Sequence, residues 1–203
     1  MTQLALPLDT ATRPPAIVRG DSNQPVIEAF AAAGGWPFRT AILTGPPRSG
    51  KSLFAGWFAA AGLGEAIDDA DRLGEEALFH RWNRAQEGEH PLLLVSRSAP
   101  GAWAIALPDL ASRIGAALLL EIGLPDDALV AGLVQEHAER RGLLFGDGAL
   151  AWLLPRLERS YAAVERVIEA ADRLSLERGQ PVTISLLRDA LVTGGGEWQP
   201  RLL

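Results

Sequence analysis

Gly45-Pro46-Pro47-Arg48-Ser49-Gly50-Lys51-Ser52 places two glycines five positions apart and follows the second with a lysine and a hydroxyl. This is G-x-x-x-x-G-K-[ST] in full. In that spacing the backbone N–H groups converge on phosphate oxygens at the start of a helix, whose dipole also favours anions. Lys51 is the residue expected to neutralise β- and γ-phosphates, and Ser52 the one expected to hold Mg²⁺. ADP or ATP with Mg²⁺ is therefore the expected cofactor. Arg48 stands where many such loops have a further glycine, so the loop's geometry or its nucleotide exchange is expected to differ. Of the 19 basic residues, 18 are arginine and only Lys51 is lysine. Arginine replaces lysine on many surfaces, but not where a compact ammonium must enter a phosphate cradle.

Such a loop needs a carboxylate at the end of a neighbouring strand to hold the metal's water shell. Ile67-Asp68-Asp69 offers one, with Asp68 for the metal and Asp69 placed to polarise an attacking water. A solvated acidic turn is the competing reading, since Asp71, Glu75 and Glu76 follow. Ser96 ends the apolar run PLLLVS, where a polar residue can sense the γ-phosphate; an ordinary strand-ending serine explains it equally well.

The elements that must carry these residues alternate between strand and helix. Residues 40–44 form a short apolar run into Gly45, and residues 53–61 read as a largely buried helix. A second short element ends at Ile67, and 75–84 reads as a helix. Residues 91–96 read as a buried parallel strand, 109–115 as a short helix and 116–122 as another core strand. This order predicts an α/β layer with a parallel sheet. Only 15 residues separate Ser52 from Asp68, so the sheet is expected to be one strand short. After Gly123 the pattern is all helical. Helices are expected at 125–141, at 149–158, from a cap at Ser160 to 177 with a stop at Gly179, and for about ten residues from Thr183. The expected organisation is a tail at 1–16, an α/β nucleotide-binding domain at 17–123 and a small helical lid at 124–203.

With 48% hydrophobic residues among 203, the chain can bury a core. It has no cysteine, which excludes disulfides, thiol catalysis and cysteine-held zinc. The net charge is −6, and no basic block exceeds Arg140-Arg141, so direct DNA binding is not expected. No apolar stretch is long enough for a membrane span, and the first residues lack a signal peptide's basic start, so a cytoplasmic protein is expected. Near the start, Gln3-Leu4-Ala5-Leu6-Pro7-Leu8 sets leucines at alternate positions ahead of the proline-rich linker at 9–16. Such a peptide can tuck onto a sheet edge. It can also place alternate side chains in a partner's groove, with the linker as a leash.

Leu107-Pro108-Asp109-Leu110-Ala111-Ser112-Arg113, taken with QLALPL, the phosphate loop and the helical tail, resembles the Hda family of DnaA-related regulatory inactivators of bacterial replication initiation. The resemblance covers nearly the whole chain apart from the shortened 53–66 region. It implies an AAA+ domain with a helical lid and a place on the replicase sliding clamp. Gln3, Leu4, Leu6, Pro7 and Leu8 would be the clamp anchors. It also implies that Arg113 is presented in trans to ATP bound by DnaA, promoting its hydrolysis. A guanidinium so placed stabilises charge on the transferring phosphoryl group. Ile17 to Asn23 likewise resembles the family's segment beside the adenine, although a loop-to-helix cap explains those residues as well.

Two features depart from, or qualify, that pattern. The position of the family's lid arginine aligns with Ala162, flanked by Arg159 and Arg166, so weak intrinsic hydrolysis or a resting nucleotide-bound state, with ADP held, is expected. The sequence up to Leu203 shows no basic helix-turn-helix, which suits a regulator better than an initiator. A stand-alone P-loop ATPase or nucleotide kinase, and a replication adaptor or helicase-loader-like protein, remain the alternatives. Nucleotide preference and homo-oligomerisation stay open.

Overall fold

The computed structural model describes residues 16–194; QLALPL and nearly all of the linker lie outside them. The described residues form two compact units, Arg19–Leu129 and residues 16–18 with 130–194.

In the first unit, β1 (Thr40–Thr44), β2 (Glu65–Ile67), β3 (Leu92–Val95) and β4 (Leu118–Glu121) form one sheet in the order β2-β3-β1-β4. Every pairing is parallel, with Thr40 opposite Leu92, Ala41 opposite Leu118 and Glu65 opposite Leu92. Parallel neighbours require crossovers, and here helices supply them: α2 (Lys51–Ala60), α3 (Glu75–Glu87) and α4 (Pro108–Ala116). The central strands β1 and β3 are wholly buried, which is why their sequences TAILT and LLLV are nearly continuous apolar runs. The short sheet expected from the brief 53–66 stretch has four strands. Between Ser52 and Asp68 there is room only for α2, a turn and the three-residue edge strand β2.

On one face, Ile42, Leu92 and Leu94 pack with Leu78 and Trp82 of α3 and with Leu110 and Ile114 of α4. Elsewhere Phe30, on α1 (Gln24–Ala31), is fully buried and ringed by Trp36, Phe54, Trp57 and Phe58 at centroid distances of 6.0, 6.1, 5.9 and 5.0 Å. Because all strands run in one direction, the loops after β1, β2 and β3 emerge from the same end of the sheet. That is where open α/β sheets bind ligands.

The second unit is a helical bundle holding most of α5 (Asp127–Arg141), α6 (Ala149–Leu153), α7 (Tyr161–Arg178) and α8 (Ile184–Thr193). Its core includes Val134, Leu153, Val164, Ile168, Leu187 and Ala190. The caps are those expected. The Ser160 hydroxyl accepts from the Ala163 N–H at 3.1 Å, and Thr183 Oγ1 accepts from the Leu186 N–H at 3.3 Å. Gly179 closes α7 at φ 59°. A cap of this kind contributes about 1 kcal/mol. The expected helix at 149–158 stops earlier: α6 ends at Leu153 and a 3₁₀ turn covers Leu154–Arg156. Pro155 has no N–H to continue the α-helical ladder. Among the described residues, no helix is long and apolar enough to cross a membrane.

Candidate functional site

The phosphate loop leaves β1 at Thr44 and enters α2 at Lys51, as its motif requires. Gly45 has φ 151°, and a Cβ there would lie 2.9 Å from the Ile122 Cβ and 3.0 Å from the Ile122 carbonyl oxygen. Only glycine fits. Arg48 takes a left-handed φ of 64°, and Gly50, at φ 83°, turns the chain into α2. Ser49 is buried, and its hydroxyl has no hydrogen-bond partner among the described residues.

Lys51 donates from Nζ to the carbonyls of Gly45 and Pro46, both at 2.9 Å. Burial lowers its pKa below the usual lysine value, and the Arg97 guanidinium adds to this; the carboxylates of Asp68, Asp69 and Asp71 oppose it. The loop fits a phosphate group by its chemistry. It offers the amides opening α2, one ammonium that can exchange two carbonyls for phosphate oxygens, an orphaned buried hydroxyl and a glycine whose Cβ would fill the turn. Ser52 follows Lys51 in the first turn of α2, in the position from which its hydroxyl would hold Mg²⁺.

Asp68 and Asp69 follow directly on the edge strand β2. The Asp68 carboxylate accepts from the Asp69 N–H at 3.0 Å, while Asp69 itself is held left-handed at φ 47°. Ser96, at the end of β3, is fully buried. Its hydroxyl donates to the Ser98 carbonyl at 2.7 Å and accepts from the Ser98 N–H at 3.0 Å, so it fastens its own loop. Two neighbours were not singled out from sequence. Arg97 pairs with both carboxylate oxygens of Asp69, at 3.0 and 3.3 Å. Asp71 accepts from the Ser98 hydroxyl at 3.3 Å and keeps a buried, unpartnered second oxygen. The charges of Arg97, Asp68, Asp69 and Asp71 all act on the Lys51 ammonium, Arg97 against it and the three carboxylates for it.

Arg113 is elsewhere. Its guanidinium lies 4.6 Å from the Phe79 ring centroid and 4.2 Å from that of Trp82, donates to Asn83 Oδ1 at 2.6 Å and pairs with Asp109 at 2.7 Å. All these partners belong to α3 and α4, and the side chain is 25% exposed. Nothing joins Arg113 to the chain's own phosphate loop among the described residues. Near the start of the unit, the Asn23 side chain accepts from the Gly20 N–H at 3.1 Å, the local turn that competes with an adenine-side role for this segment. In the second unit, Ala162 is half-buried in the first turn of α7, and Arg166 donates to the Gly194 carbonyl at 3.1 Å.

Residues 126–191 match the family model described as the lid domain of Hda. The likeness to Hda lies in those residues, about a third of the chain. The Hda-type lid accompanies a fold shared with domain III of the replication initiation protein DnaA from Thermotoga maritima. That match has a TM-score of 0.71 and 15% identity, and covers 91% of this chain and 95% of that one. The RuvB Holliday junction branch migration motor from Thermotoga maritima aligns with a TM-score of 0.58 and 17% identity, over 87% of this chain and 70% of that one. A replication initiator DnaA solved with AMPPCP and single-stranded DNA aligns at 0.57 and 18% identity, over 80% of this chain and 64% of that one. At these identities the likeness establishes the fold alone. Among curated proteins, an uncharacterized protein of Haemophilus influenzae is 28% identical over 118 residues, which are 58% of this chain and 51% of that protein's length.

Proposed function

We propose that this protein is a DnaA-related regulator of replication initiation. It holds ADP or ATP with Mg²⁺ in its own phosphate loop, docks on the replicase sliding clamp through QLALPL, and presents Arg113 to ATP bound by DnaA. The observation that carries this reading is the placement of Arg113. Arg113 lies on neither the loops after β1, β2 and β3 nor the helical lid; among the described residues its hydrogen-bond, ion-pair and ring partners belong to α3 and α4. Its aromatic and carboxylate partners hold the guanidinium in place, so little side-chain freedom is lost when a partner's phosphate takes it up. The Hda-type lid and the DnaA-like core support the same reading.

The core residues divide the work. Lys51 and the N–H groups of the loop's non-proline residues would bind the phosphates, Ser52 and Asp68 would hold Mg²⁺, which would supply Lewis acidity, and Ser96 fastens its own loop through Ser98. A nucleotide kinase gains no support from the lid, where Arg141, Arg156 and Arg178 are engaged with Glu169 and Asp172, with the Trp152 carbonyl, and with Asp189. Arg113→Ala tests the proposal. The variant should bind nucleotide and clamp as the native chain does, yet lose the acceleration of DnaA-bound ATP hydrolysis by about 10³-fold or more, the scale of an in-trans arginine. Acceleration equal to the native chain's would contradict the role of Arg113.

A further inference from the structure

Arg97 carries a consequence that the phosphate-loop motif does not contain. Resting on the nucleotide-binding reading above, we propose that Arg97 restrains Asp69 and thereby keeps this chain's own site from turning over the nucleotide it holds. Hydrolysis there would require a water oxygen to bond to the γ-phosphorus as the bond to the β–γ bridging oxygen breaks. The water's proton would pass to a carboxylate and on to solvent, and ADP and inorganic phosphate would leave. Asp69 is the carboxylate to which the sequence pattern assigns that water. In the structure both its oxygens accept from Arg97, Oδ1 from Nε at 3.0 Å and Oδ2 from a terminal nitrogen at 3.3 Å. A carboxylate paired fork to fork with a guanidinium has lone pairs already engaged and presents fewer to water.

Both ends of the pair are fixed by their backbones. Asp69 is locked left-handed, with its N–H on the Asp68 carboxylate. Arg97 sits between Ser96 and Ser98, whose reciprocal bonds close the loop. Ser98 is further tied to Asp71, and its carbonyl accepts from the Trp103 indole at 3.2 Å. The two side chains are 58% and 47% exposed, so the pair adds little to stability. Its effect lies in occupying the acceptor sites of Asp69. Arg97 also bears on Lys51 electrostatically, which places its charge at the same end of the sheet.

The full chain is compared with Arg97→Ala, Arg97→Lys, Asp69→Asn and the double variant of Arg97→Ala with Asp69→Asn. Three quantities are measured: the arginine Nε–H NMR spectrum without nucleotide, the Mg-ADP and Mg-ATP affinities, and single-turnover hydrolysis of ATP without DnaA or clamp. The Arg97 Nε–H signal should move in Asp69→Asn. Affinities in Arg97→Ala should stay within about threefold of the native values. Hydrolysis should rise about tenfold or more in Arg97→Ala and less in Arg97→Lys, whose ammonium cannot pair with both oxygens; the double variant should lose the gain. The proposal is overturned by an Arg97 signal indifferent to Asp69→Asn, or by unchanged or slower hydrolysis in Arg97→Ala with nucleotide still bound. A tenfold loss of ATP affinity in that variant would also overturn it, by making Arg97 a phosphate ligand. Absence of nucleotide binding by the native chain would overturn both this inference and the reading it rests on, a result separate from the others.

Discussion

Lys51 is the single lysine among 19 basic residues, and its ammonium reaches two loop carbonyls at 2.9 Å. Its value lies in being exchangeable: the same three donors can leave neutral carbonyls for charged phosphate oxygens, a stronger partnership. Lys51→Ala should therefore fold like the native chain but lose nucleotide stabilisation. At a nucleotide concentration about a hundredfold above the dissociation constant, the native chain should gain about 2.7 kcal/mol in a thermal-shift or denaturant titration, and the variant close to none. An equal gain in both would show that Lys51 does not hold phosphate. At this scale the motif made the strand–loop–helix turn legible, because its glycines stand at fixed spacing where the chain must turn. The Arg97–Asp69 pair was not legible, since it joins positions 28 residues apart across two loops.

Among the elements, the caps and apolar runs were the most readable, because each depends on local chemistry. Ser160, Gly179 and Thr183 mark helix ends in the structure as they do in the sequence. Boundaries set by neighbours were less so. The strand expected at 116–122 begins at Leu118, because Ala116 still belongs to α4. The helix expected from residue 53 begins at Lys51, because the left-handed Gly50 caps it there. The seat of Arg113 had a visible signal that went unused. Phe79, Trp82 and Asn83 lie three and four positions apart, which sets them along one face of α3.

Helix α5 carries a pH-dependent contribution. His137 Nδ1 lies 3.3 Å from an Arg141 guanidinium nitrogen that can only donate, so Nδ1 accepts and the ring is held neutral. Burial lowers its pKa below 6.5, followed by Arg140; Glu136 opposes, Arg141 lowers it further, and Glu169 opposes. In the unfolded chain His137 takes up its proton as the pH falls through about 6.5, while the folded chain resists until a lower pH. The unfolded state then binds more protons, so stability declines with falling pH in that window and is unaffected above it. Melting curves taken from about pH 7.5 to 5.5 should show a smaller loss for His137→Gln than for the native chain. Parallel losses would remove His137 as the cause.

On the scale of the whole molecule there are three parts: the α/β core of Arg19–Leu129, proposed to hold nucleotide; residues 126–191, which match the Hda lid; and the proposed clamp peptide at 3–8, which lies outside the described residues. The core and lid were legible because the alternation of short apolar runs with helical periodicity changes to helices alone after Gly123. The partners were not legible from geometry, since the surface that meets another protein is not written in a packing pattern. On the proposed function, this chain acts on another protein's ATP when the clamp brings it there. The most direct measurement of this is the rate at which DnaA hydrolyses bound ATP with this protein present, with and without DNA-loaded clamp. The account predicts acceleration that requires the loaded clamp and disappears when Gln3 and Leu6 are replaced by alanine. A rate indifferent to this protein in the presence of loaded clamp would contradict it.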